Sequence, residues 1–232
     1  MAAYYRLRPS PVGTDNGNVA TTGIWFLTGY VVGAIPIGLV VGRMAGVDIR
    51  RYGTGNIGAS NVFRNLGLLP AAVVAVGSFC QGLLPTWGAT ALTGSPAAEA
   101  AAAVGSVAGY GWSFLLGFRG GRAVGTATGA LAALSPVGMI PLLGLYAIGG
   151  LLRQPAPGVL LGLLAFLVSL AFGSHPWSIV VGAALVVGLV LLKRFDGVRD
   201  DLRAHADRTA GVLFDRLVFD RRPGQRLVGR ND

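Results

Sequence analysis

Residues 66–92 read LGLLPAAVVAVGSFCQGLLPTWGATAL, a run of 27 positions without a charged side chain. The wider stretch 65–192 holds 128 residues and only four charged side chains, which are Glu99, Arg119, Arg122 and Arg153. A soluble domain of that size could not cover its surface with so few charges, because about a quarter of the residues in such domains are charged. In a bilayer the outward face of a helix is apolar. The sequence therefore predicts an integral membrane protein.

Apolar segments along the chain predict an all-α, polytopic membrane helix bundle with about seven transmembrane helices. The expected helices cover residues 23–41, 66–92, 97–118, 123–134, 137–152, 158–172 and 177–192. A disordered polar arm is expected over 1–22, the seven-helix domain over 23–194 and a polar cytoplasmic tail over 195–232. For the tail, an interfacial helix and a solvated, partly disordered segment both fit the pattern. Several expected spans are shorter than the roughly 20 residues of a straight span, so broken helices are expected.

The positions of basic residues predict the orientation of these helices. Lys and Arg follow the first, third, fifth and seventh segments, and the loops after the second, fourth and sixth carry none. Because cytoplasmic loops are enriched in Lys and Arg, the amino terminus is expected outside and the carboxyl terminus in the cytoplasm. Glycine pairs four residues apart, which let helix backbones approach closely in lipid, occur at 29/33, 38/42, 105/109, 121/125 and 158/162.

Composition also limits which classes of partner and cofactor are expected. The formal net charge of +9 suggests nucleic-acid binding, but the arginines lie in loops and in the tail, where membrane topology requires them. No nucleic-acid partner is therefore expected. The single cysteine, Cys80, excludes an intramolecular disulfide, and His175 and His205 lie in separate regions without ligand spacing. No metal site and no cofactor are expected.

The segment DIRRYGTGNIGASNVFRNLG, residues 48–67, is a glycine-rich loop between the first two spans. Its G-x-G-x-x-G does not predict a dinucleotide site, because that motif must close a strand and be followed by an acidic residue about 20 positions later. Glycines let backbone N–H groups approach an anion, and guanidinium groups bind phosphate bidentately. The loop is either an anion site or a basic loop at the membrane surface. Its polar candidates are Arg50, Arg51, Asn56, Asn61 and Arg64.

A second loop of this kind, GFRGGRAVGT, covers residues 117–126. Arg119 and Arg122 flank Gly120 and Gly121 directly before a predicted helix, whose amino-terminal dipole favours an anion. Both loops are expected on one face of the membrane. Their common ligand would be a phosphate or another compact anion.

The run G-x-G-N-x-G-x-x-N-x-x-R at 53–64 resembles the first signature of the bacterial acyl-phosphate:glycerol-3-phosphate acyltransferases, the PlsY family. GAIPIGLVVGR at 33–43 is similar to the family's first helix, and GFRGGRAVGT is similar to its F-x-G-G-K-x-V-A-T signature. The resemblance extends over about residues 23–199. It implies a seven-helix fold in the bacterial inner membrane with a cytoplasmic active site.

The resemblance also implies a reaction of phospholipid biosynthesis. The 1-hydroxyl of glycerol 3-phosphate attacks the carbonyl of a long-chain acyl phosphate, giving lysophosphatidic acid and inorganic phosphate. Because the acyl phosphate is already activated, the protein must mainly bind two phosphates, align the reacting groups and stabilise the oxyanion. The expected partners are membrane lipids and the two substrates, without an obligate protein partner.

Motifs and resemblance together predict the site residues. Catalytic roles are expected for Arg50, Asn56, Asn61 and Arg122. Phosphate binding is expected for Gly53, Gly55, Gly58, Arg64, Arg119, Gly120, Gly121, Thr126 and Lys193.

Other positions depart from the family pattern. Ala34 replaces a serine, Ser78 and Gln81 replace an acid and a lysine, and Tyr110 replaces a histidine, whereas Arg122 keeps the charge of a lysine. A serine is also expected where Ala156 stands, and a histidine and an asparagine where Lys193 and Asp196 stand. Two hypotheses follow: a remodelled acyltransferase in which Arg122 or Lys193 supplies the charge, or a catalytically silent relative that binds phosphate or anionic lipid. A transporter would need an ionisable group inside a span, and only Glu99 is a candidate.

Overall fold

The computed structural model describes residues 18–198, 202–203, 209–214 and 217–218. These residues form α-helices and connecting loops without a β-strand, as the all-α prediction requires. The α-helices, in chain order, are α1 Val19–Gly33, α2 Ile37–Met44, α3 Ala59–Leu66, α4 Leu68–Thr93, α5 Pro96–Gly111, α6 Val124–Leu134, α7 Met139–Leu151, α8 Pro155–Leu170, α9 Trp177–Arg194 and α10 Thr209–Phe214. Short 3₁₀ helices at Ile49–Arg51 and Phe114–Leu116 lie in the loops after α2 and α5.

Three helical stretches in the described residues are long and apolar enough to cross a bilayer. They are Val19–Met44 and Leu68–Thr93, with 26 residues each, and Trp177–Arg194, with 18. Helices α6, α7 and α8 are apolar but shorter. Large apolar side chains such as Trp87 and Trp177 are exposed, as expected where lipid rather than water surrounds a helix. The structure thus has the character of a membrane bundle, and the count of seven spans stays a prediction.

Apart from the break in the first span, two helix boundaries differ from the sequence prediction by four residues or more. The side chain of Asn18 accepts a hydrogen bond from the backbone N–H of Ala20 (3.1 Å) and caps α1, which begins at Val19. Residues 19–22, expected in the disordered arm, are therefore helical. Residues 1–17 of that arm lie outside the described part of the chain. The third expected span ends at Gly111 rather than at 118. Its last carbonyls accept hydrogen bonds from the returning loop at residues 120–121, so the helix cannot continue.

The first expected span is broken where the sequence reads Ala-Ile-Pro, between α1 and α2. Side chains from other elements bind the carbonyls that the break releases. Gln81 Nε2 of α4 donates to the carbonyls of Val32 (2.8 Å) and Ile35 (2.7 Å). Ser113 Oγ, after α5, donates to that of Ala34 (2.6 Å). Because a buried unpaired carbonyl costs about 1–3 kcal/mol, these bonds stabilise the break in one geometry.

Glycines bring helices α1 and α5 into backbone contact. A Cβ on Gly33 would collide with the carbonyl oxygen of Ser106, and one on Gly109 would collide with that of Tyr30. This confirms the close packing predicted for the 29/33 and 105/109 pairs. Helices α4 and α6 meet in the same way, through glycines on both helices.

Part of the tail contacts the bundle through Arg194, which is buried at the end of α9. Its guanidinium donates to the carbonyl of Ala156 in α8 (3.1 Å) and to the carbonyls of Leu217 and Val218. The described tail residues include the short helix α10, in which Val212 is buried. The other tail positions lie outside the described residues.

Candidate active site

The two glycine-rich loops of the sequence meet in space and form two neighbouring depressions. The first, named here the inner cleft, has a volume of about 90 Å³ and is lined by Thr54, Gly55, Asn56, Gly120, Gly121, Arg122, Lys193 and Asp196. The second, named the arginine groove, is wider, about 590 Å³, and is lined by Asp48, Arg50, Arg51, Leu116, Gly117 and Arg119. Of the predicted anion-binding residues, the inner cleft is lined by Gly55, Gly120, Gly121 and Lys193, and the groove by Arg119. Neither depression is lined by Gly53, Gly58, Arg64 or Thr126.

Asn61 is the hub of the first loop. Its side chain is fully buried, and its Oδ1 accepts a hydrogen bond from the backbone N–H of Thr54 (3.0 Å). Its Nδ2 donates to the carbonyls of Asn56 (2.9 Å), Tyr52 (3.1 Å) and Ile49 (3.3 Å). These contacts show that the amide of Asn61 shapes the loop, and its predicted catalytic role stays a prediction.

Two of the three motif glycines are required by the backbone. Gly53 and Gly55 have φ angles of +54° and +69°, a region that L-residues rarely adopt. Gly58 has an ordinary φ of −76° and precedes the first residue of α3. Asn56 Oδ1 accepts from the N–H of Gly58 (3.3 Å), so the loop between these glycines turns tightly and places Asn56 in the inner cleft.

Arg50 lies in the arginine groove rather than in the inner cleft. Its Nε and Nη2 donate to Oδ1 (2.9 Å) and Oδ2 (2.7 Å) of Asp48 in a bidentate ion pair. The hydrogen bonds from Arg50 lower the pKa of Asp48 to about 2, and Asp48 in turn raises the pKa of Arg50. The predicted catalytic arginine is thus bound to a carboxylate.

The second loop folds back onto the end of α5. The backbone N–H groups of Gly120 and Gly121 donate to the carbonyls of Gly111 (3.1 Å) and Tyr110 (3.2 Å). A Cβ on Gly120 would collide with the carbonyl oxygen of Tyr110, so this return requires glycine. Directly afterwards Ala123 has a φ of +57° and α6 begins. The first turn of α6 therefore starts beside the inner cleft.

Lys193 is the buried cation of the inner cleft. Only 3% of its surface is exposed, and its ammonium forms an ion pair with Asp196. The same nitrogen lies 4.8 Å from the centroid of the Trp112 ring, within cation–π distance. Arg122 lines the cleft as well and is half-buried. The structure thus brings the two cations predicted for the remodelled site together.

Sequence reasoning missed Trp112 and Asp196 as partners of Lys193. The tryptophan follows a helix, and the aspartate lies one turn after the lysine, a spacing that favours ion pairs but does not place them. Arg64 is exposed on α3 and lines neither depression. Thr126 is buried in α6 below the cleft, and its hydroxyl has no hydrogen-bond partner among the described residues.

Four of the positions that depart from the family pattern are buried below the cleft and are named here the buried layer: Ala34, Ser78, Gln81 and Tyr110. All four are buried, and none lines the inner cleft or the groove. Gln81 binds the broken first span, as described above. The hydroxyl of Ser78 has no hydrogen-bond partner among the described residues. The missing acid, lysine and histidine are therefore replaced by neutral groups in one region of the structure.

A comparison with protein-family models matches residues 23–201 to glycerol-3-phosphate acyltransferase. The chain belongs to this family. A glycerol-3-phosphate acyltransferase of Rubrobacter xylanophilus is 38% identical over 166 residues, which are 69% of this chain and 83% of the relative. Glycerol-3-phosphate acyltransferase 5 of Dehalococcoides mccartyi is 31% identical over 214 residues, 90% of this chain and 92% of the relative.

A solved structure of the acyltransferase family has the same fold. The crystal structure of PlsY, an integral membrane glycerol 3-phosphate acyltransferase, in its glycerol 3-phosphate form, aligns with a TM-score of 0.70 and 25% identity. The alignment covers 79% of this chain and 92% of PlsY. The family resemblance and the integral membrane fold predicted from the sequence are therefore confirmed.

Proposed function

We propose that this chain transfers the acyl group of a long-chain acyl phosphate to the 1-hydroxyl of glycerol 3-phosphate. A bond forms between the hydroxyl oxygen and the acyl carbon, and the bond between that carbon and the phosphate oxygen breaks. The proton of the hydroxyl leaves with inorganic phosphate, so the products are lysophosphatidic acid and phosphate. Family membership and the names of the relatives support the reaction class.

The inner cleft is the observation that carries this proposal. Asn56, Arg122 and Lys193 reach it from three different parts of the chain, and the amino terminus of α6 starts beside it. Guanidinium, ammonium, amide and free backbone N–H groups are the donors that bind phosphate in proteins. A cleft of this size and polarity suits the phosphate of a small, water-soluble acceptor.

The chemistry of the residues at the cleft suits a reaction that needs no covalent nucleophile. Aligning a hydroxyl with an activated carbonyl supplies a large part of the rate enhancement. Fixed positive groups stabilise the charge that develops on the carbonyl oxygen and on the leaving phosphate. We assign that electrostatic role to Arg122 and Lys193, and a positioning role to Asn56.

A direct assay tests the reaction. Purified protein in nanodiscs receives palmitoyl phosphate and radiolabelled glycerol 3-phosphate, and we expect lysophosphatidic acid and inorganic phosphate in equal amounts. Palmitoyl-CoA in place of palmitoyl phosphate should give no product. Arg122→Gln should lose turnover, and Arg153→Gln, which changes an exposed arginine outside both depressions, should not.

The outcomes separate the two hypotheses left by the sequence. Binding of glycerol 3-phosphate without any product would favour the silent relative. Equal rates with palmitoyl-CoA would contradict the acyl phosphate donor while leaving the acceptor intact.

We further propose that both depressions face the cytoplasm from the bacterial inner membrane, with the amino terminus outside. The basic residues of both loops support this orientation. With Cys80 replaced by alanine, Arg119→Cys should resist an impermeant thiol reagent applied to intact cells, and Ser174→Cys, in the loop before α9, should react. Labelling of Arg119→Cys from outside would reverse the orientation.

A further inference from the structure

We propose that Arg194 is a positioning residue, which fixes the end of α9 by binding the carboxyl-terminal tail and thereby holds Lys193 in the inner cleft. The inference rests on the proposed function, because it gives the tail a part in the reaction at that cleft. The match to the family model ends at residue 201, and the tail carbonyls that Arg194 binds belong to Leu217 and Val218, beyond that match.

Two neighbouring cations end α9 and have different partners. Successive residues of an α-helix lie about 100° apart around its axis, so their side chains leave the helix in different directions. Lys193 lines the inner cleft, where its ammonium forms an ion pair with Asp196. Arg194 contacts α8 and the tail instead and lines neither depression. Both cations are only 3% exposed, so the last turn of α9 is held from two sides.

The last turn of a helix is its least constrained part, because its final carbonyls have no partners within the helix. Here α9 ends at Arg194, and the chain turns away at Gly197, which has a φ of +73°. The backbone N–H of Asp196 reaches back to the carbonyl of Lys193 at 3.4 Å, which is a long hydrogen bond. Without a further anchor this turn would fray and move the side chain of Lys193 with it.

The guanidinium of Arg194 supplies that anchor by joining separate parts of the chain. Its Nη1 donates to the carbonyls of Leu217 and Val218 in the tail. Its Nη2 donates to the carbonyl of Ala156 in the first turn of α8 (3.1 Å). A planar guanidinium presents its donors in a fixed fork, so it can bind two backbone segments at once. Hydrogen bonds from a charged donor are stronger than those between neutral groups, and burial strengthens them further.

The tail has a second attachment in α10, which precedes the bound carbonyls by a few residues. Val212 is 3% exposed, whereas Leu213 and Phe214 beside it are 38% and 58% exposed. A short helix that buries one apolar side chain lies against other residues on that side. Val212 and the contacts of Arg194 therefore attach the same part of the tail.

A shift of the end of α9 would change the inner cleft directly. The stem of Lys193 packs over Gly111, where an added Cβ would lie 3.4 Å from its Cδ, and its ammonium lies 4.8 Å from the centroid of the Trp112 ring. A displacement of about 1 Å in a reacting site can lower the rate by about a hundredfold. Arg194 thus acts on the reaction through Lys193, without touching a substrate.

Spin-label distances test whether Arg194 holds the tail. With Cys80 replaced by alanine, labels at Gln154→Cys, before α8, and Gly211→Cys, in α10, should give one narrow distance distribution in nanodiscs. Both positions are exposed, and a Cβ on Gly211 would meet open space. Arg194→Gln should broaden the distribution, and the exposed control Arg153→Gln should not. A broad distribution in wild type, or a narrow one in Arg194→Gln, overturns the inference.

Turnover tests whether the anchor serves the reaction. Arg194→Gln should lower kcat of acyl transfer from palmitoyl phosphate by about tenfold to a hundredfold. Arg194→Lys keeps the charge but has a single nitrogen in place of the fork, so it should still lower kcat by about threefold or more. Full turnover in Arg194→Lys would mean that charge alone matters, and this result overturns the inference. Arg153→Gln should keep the turnover of wild type.

A double-mutant cycle on glycerol 3-phosphate binding shows whether Arg194 acts through Lys193. Arg194→Gln alone should weaken binding by about threefold to tenfold. In a protein that already carries Lys193→Gln, the same change should weaken binding by less than about twofold, because the group that it positions is gone. Equal losses in both backgrounds would show that Arg194 acts elsewhere, and the inference fails.

A tail variant keeps the inference testable if Arg194→Gln does not fold. Val212→Asp places a carboxylate in the buried contact of α10, so it should release the tail, broaden the spin-label distribution and lower kcat as Arg194→Gln does. Leu213→Asp, at the exposed neighbouring position, is the matched control and should do neither. Equal effects of the two variants, or a released tail with full turnover, overturn the inference.

Failure of the proposed function gives a different result. If wild-type protein holds its tail, and Arg194→Gln releases the tail and weakens glycerol 3-phosphate binding, the positioning role stands. An absence of acyl transfer in that same wild-type protein would then contradict the proposed function alone.

Discussion

The loop layer and the buried layer below it differ in how they depart from the family pattern. The two glycine-rich loops have the expected glycines, amides and cationic positions, with Arg122 standing for a lysine. The buried layer of Ala34, Ser78, Gln81 and Tyr110 replaces every charged or titrating group with a neutral one. The two loops and the buried layer have therefore changed to different extents.

The contacts of Gln81 explain how the buried layer can lose a charge without losing structure. Its Nε2 binds two carbonyls of the broken first span, which an ammonium group in the same place could also bind. Burying a neutral amide costs less than burying a charge. A position that seemed from the sequence to lack a phosphate-binding lysine instead holds a helix break. The comparison teaches that the replaced residues need not belong to the chemical step.

The largest expected effect is on the loop layer. Arg122→Gln should lower kcat of acyl transfer by about a hundredfold to a thousandfold, because it removes a positive group from the proposed oxyanion and phosphate site. Steady-state kinetics measures this, with thermal unfolding as the check on folding. A loss smaller than threefold would contradict a role of the inner cleft in the chemical step. It would also remove the functional difference between the two loops and the buried layer.

The next effect concerns the hub of the first loop. Asn61→Ala should destabilise the protein by about 2–4 kcal/mol, since several backbone groups lose their partner in a buried place. Asn65→Ala is the matched comparison. Among the described residues its side chain hydrogen-bonds only to the backbone and side chain of Asn61, so we expect a loss of at most about 1 kcal/mol. Chemical denaturation in detergent measures both. Equal losses would show that Asn61 is no hub.

A smaller effect is expected in the buried layer. Gln81→Leu should cost about 1–3 kcal/mol of stability, because it leaves carbonyls of the helix break without a donor. Gln81→Lys keeps donors in place and should cost less. Comparing the midpoints of thermal unfolding of the two variants measures this difference in stability. A lysine variant less stable than the leucine variant would contradict the capping role.

Restoring the family residues should change turnover least. Gln81→Lys combined with Tyr110→His should leave kcat within about threefold of wild type or reduce it, because neither side chain lines the inner cleft. A rise of tenfold or more would mean that the buried layer takes part in the reaction. It would also favour a decayed enzyme over a remodelled one.

The pH dependence of phosphate binding at the arginine groove should be set by the ligand. The pKa of Asp48 is lowered to about 2, so its ion pair with Arg50 is complete above the ordinary carboxyl range and is lost only as the pH falls through about 2. Between pH 5 and 9 we therefore expect an alkyl phosphate to bind more tightly only through its own second ionisation, near pH 6. An additional transition in this range would reveal a titrating protein group in the groove.

Much of the fold followed from the sequence because lipid imposes a simple rule. A chain with so few charges over 65–192 must satisfy its backbone internally, so helices were predictable and their positions were mostly correct. The glycine pairs at 29/33 and 105/109 indicated close packing, and the structure has it. The signature at 53–64 indicated the family to which the chain belongs.

Only the tertiary structure decided which polar residues act together. Sequence spacing could not show that Arg50 forms an ion pair with Asp48, or that the side chain of Asn61 hydrogen-bonds to its own loop. It also could not show that Lys193, at the end of α9, lines the same cleft as Arg122. Nor could it separate the groove from the cleft. Hydropathy and glycine patterns are local and are set by the solvent around each segment. A site is set by contacts between segments that meet only when the helices pack, and a linear pattern does not encode those distances.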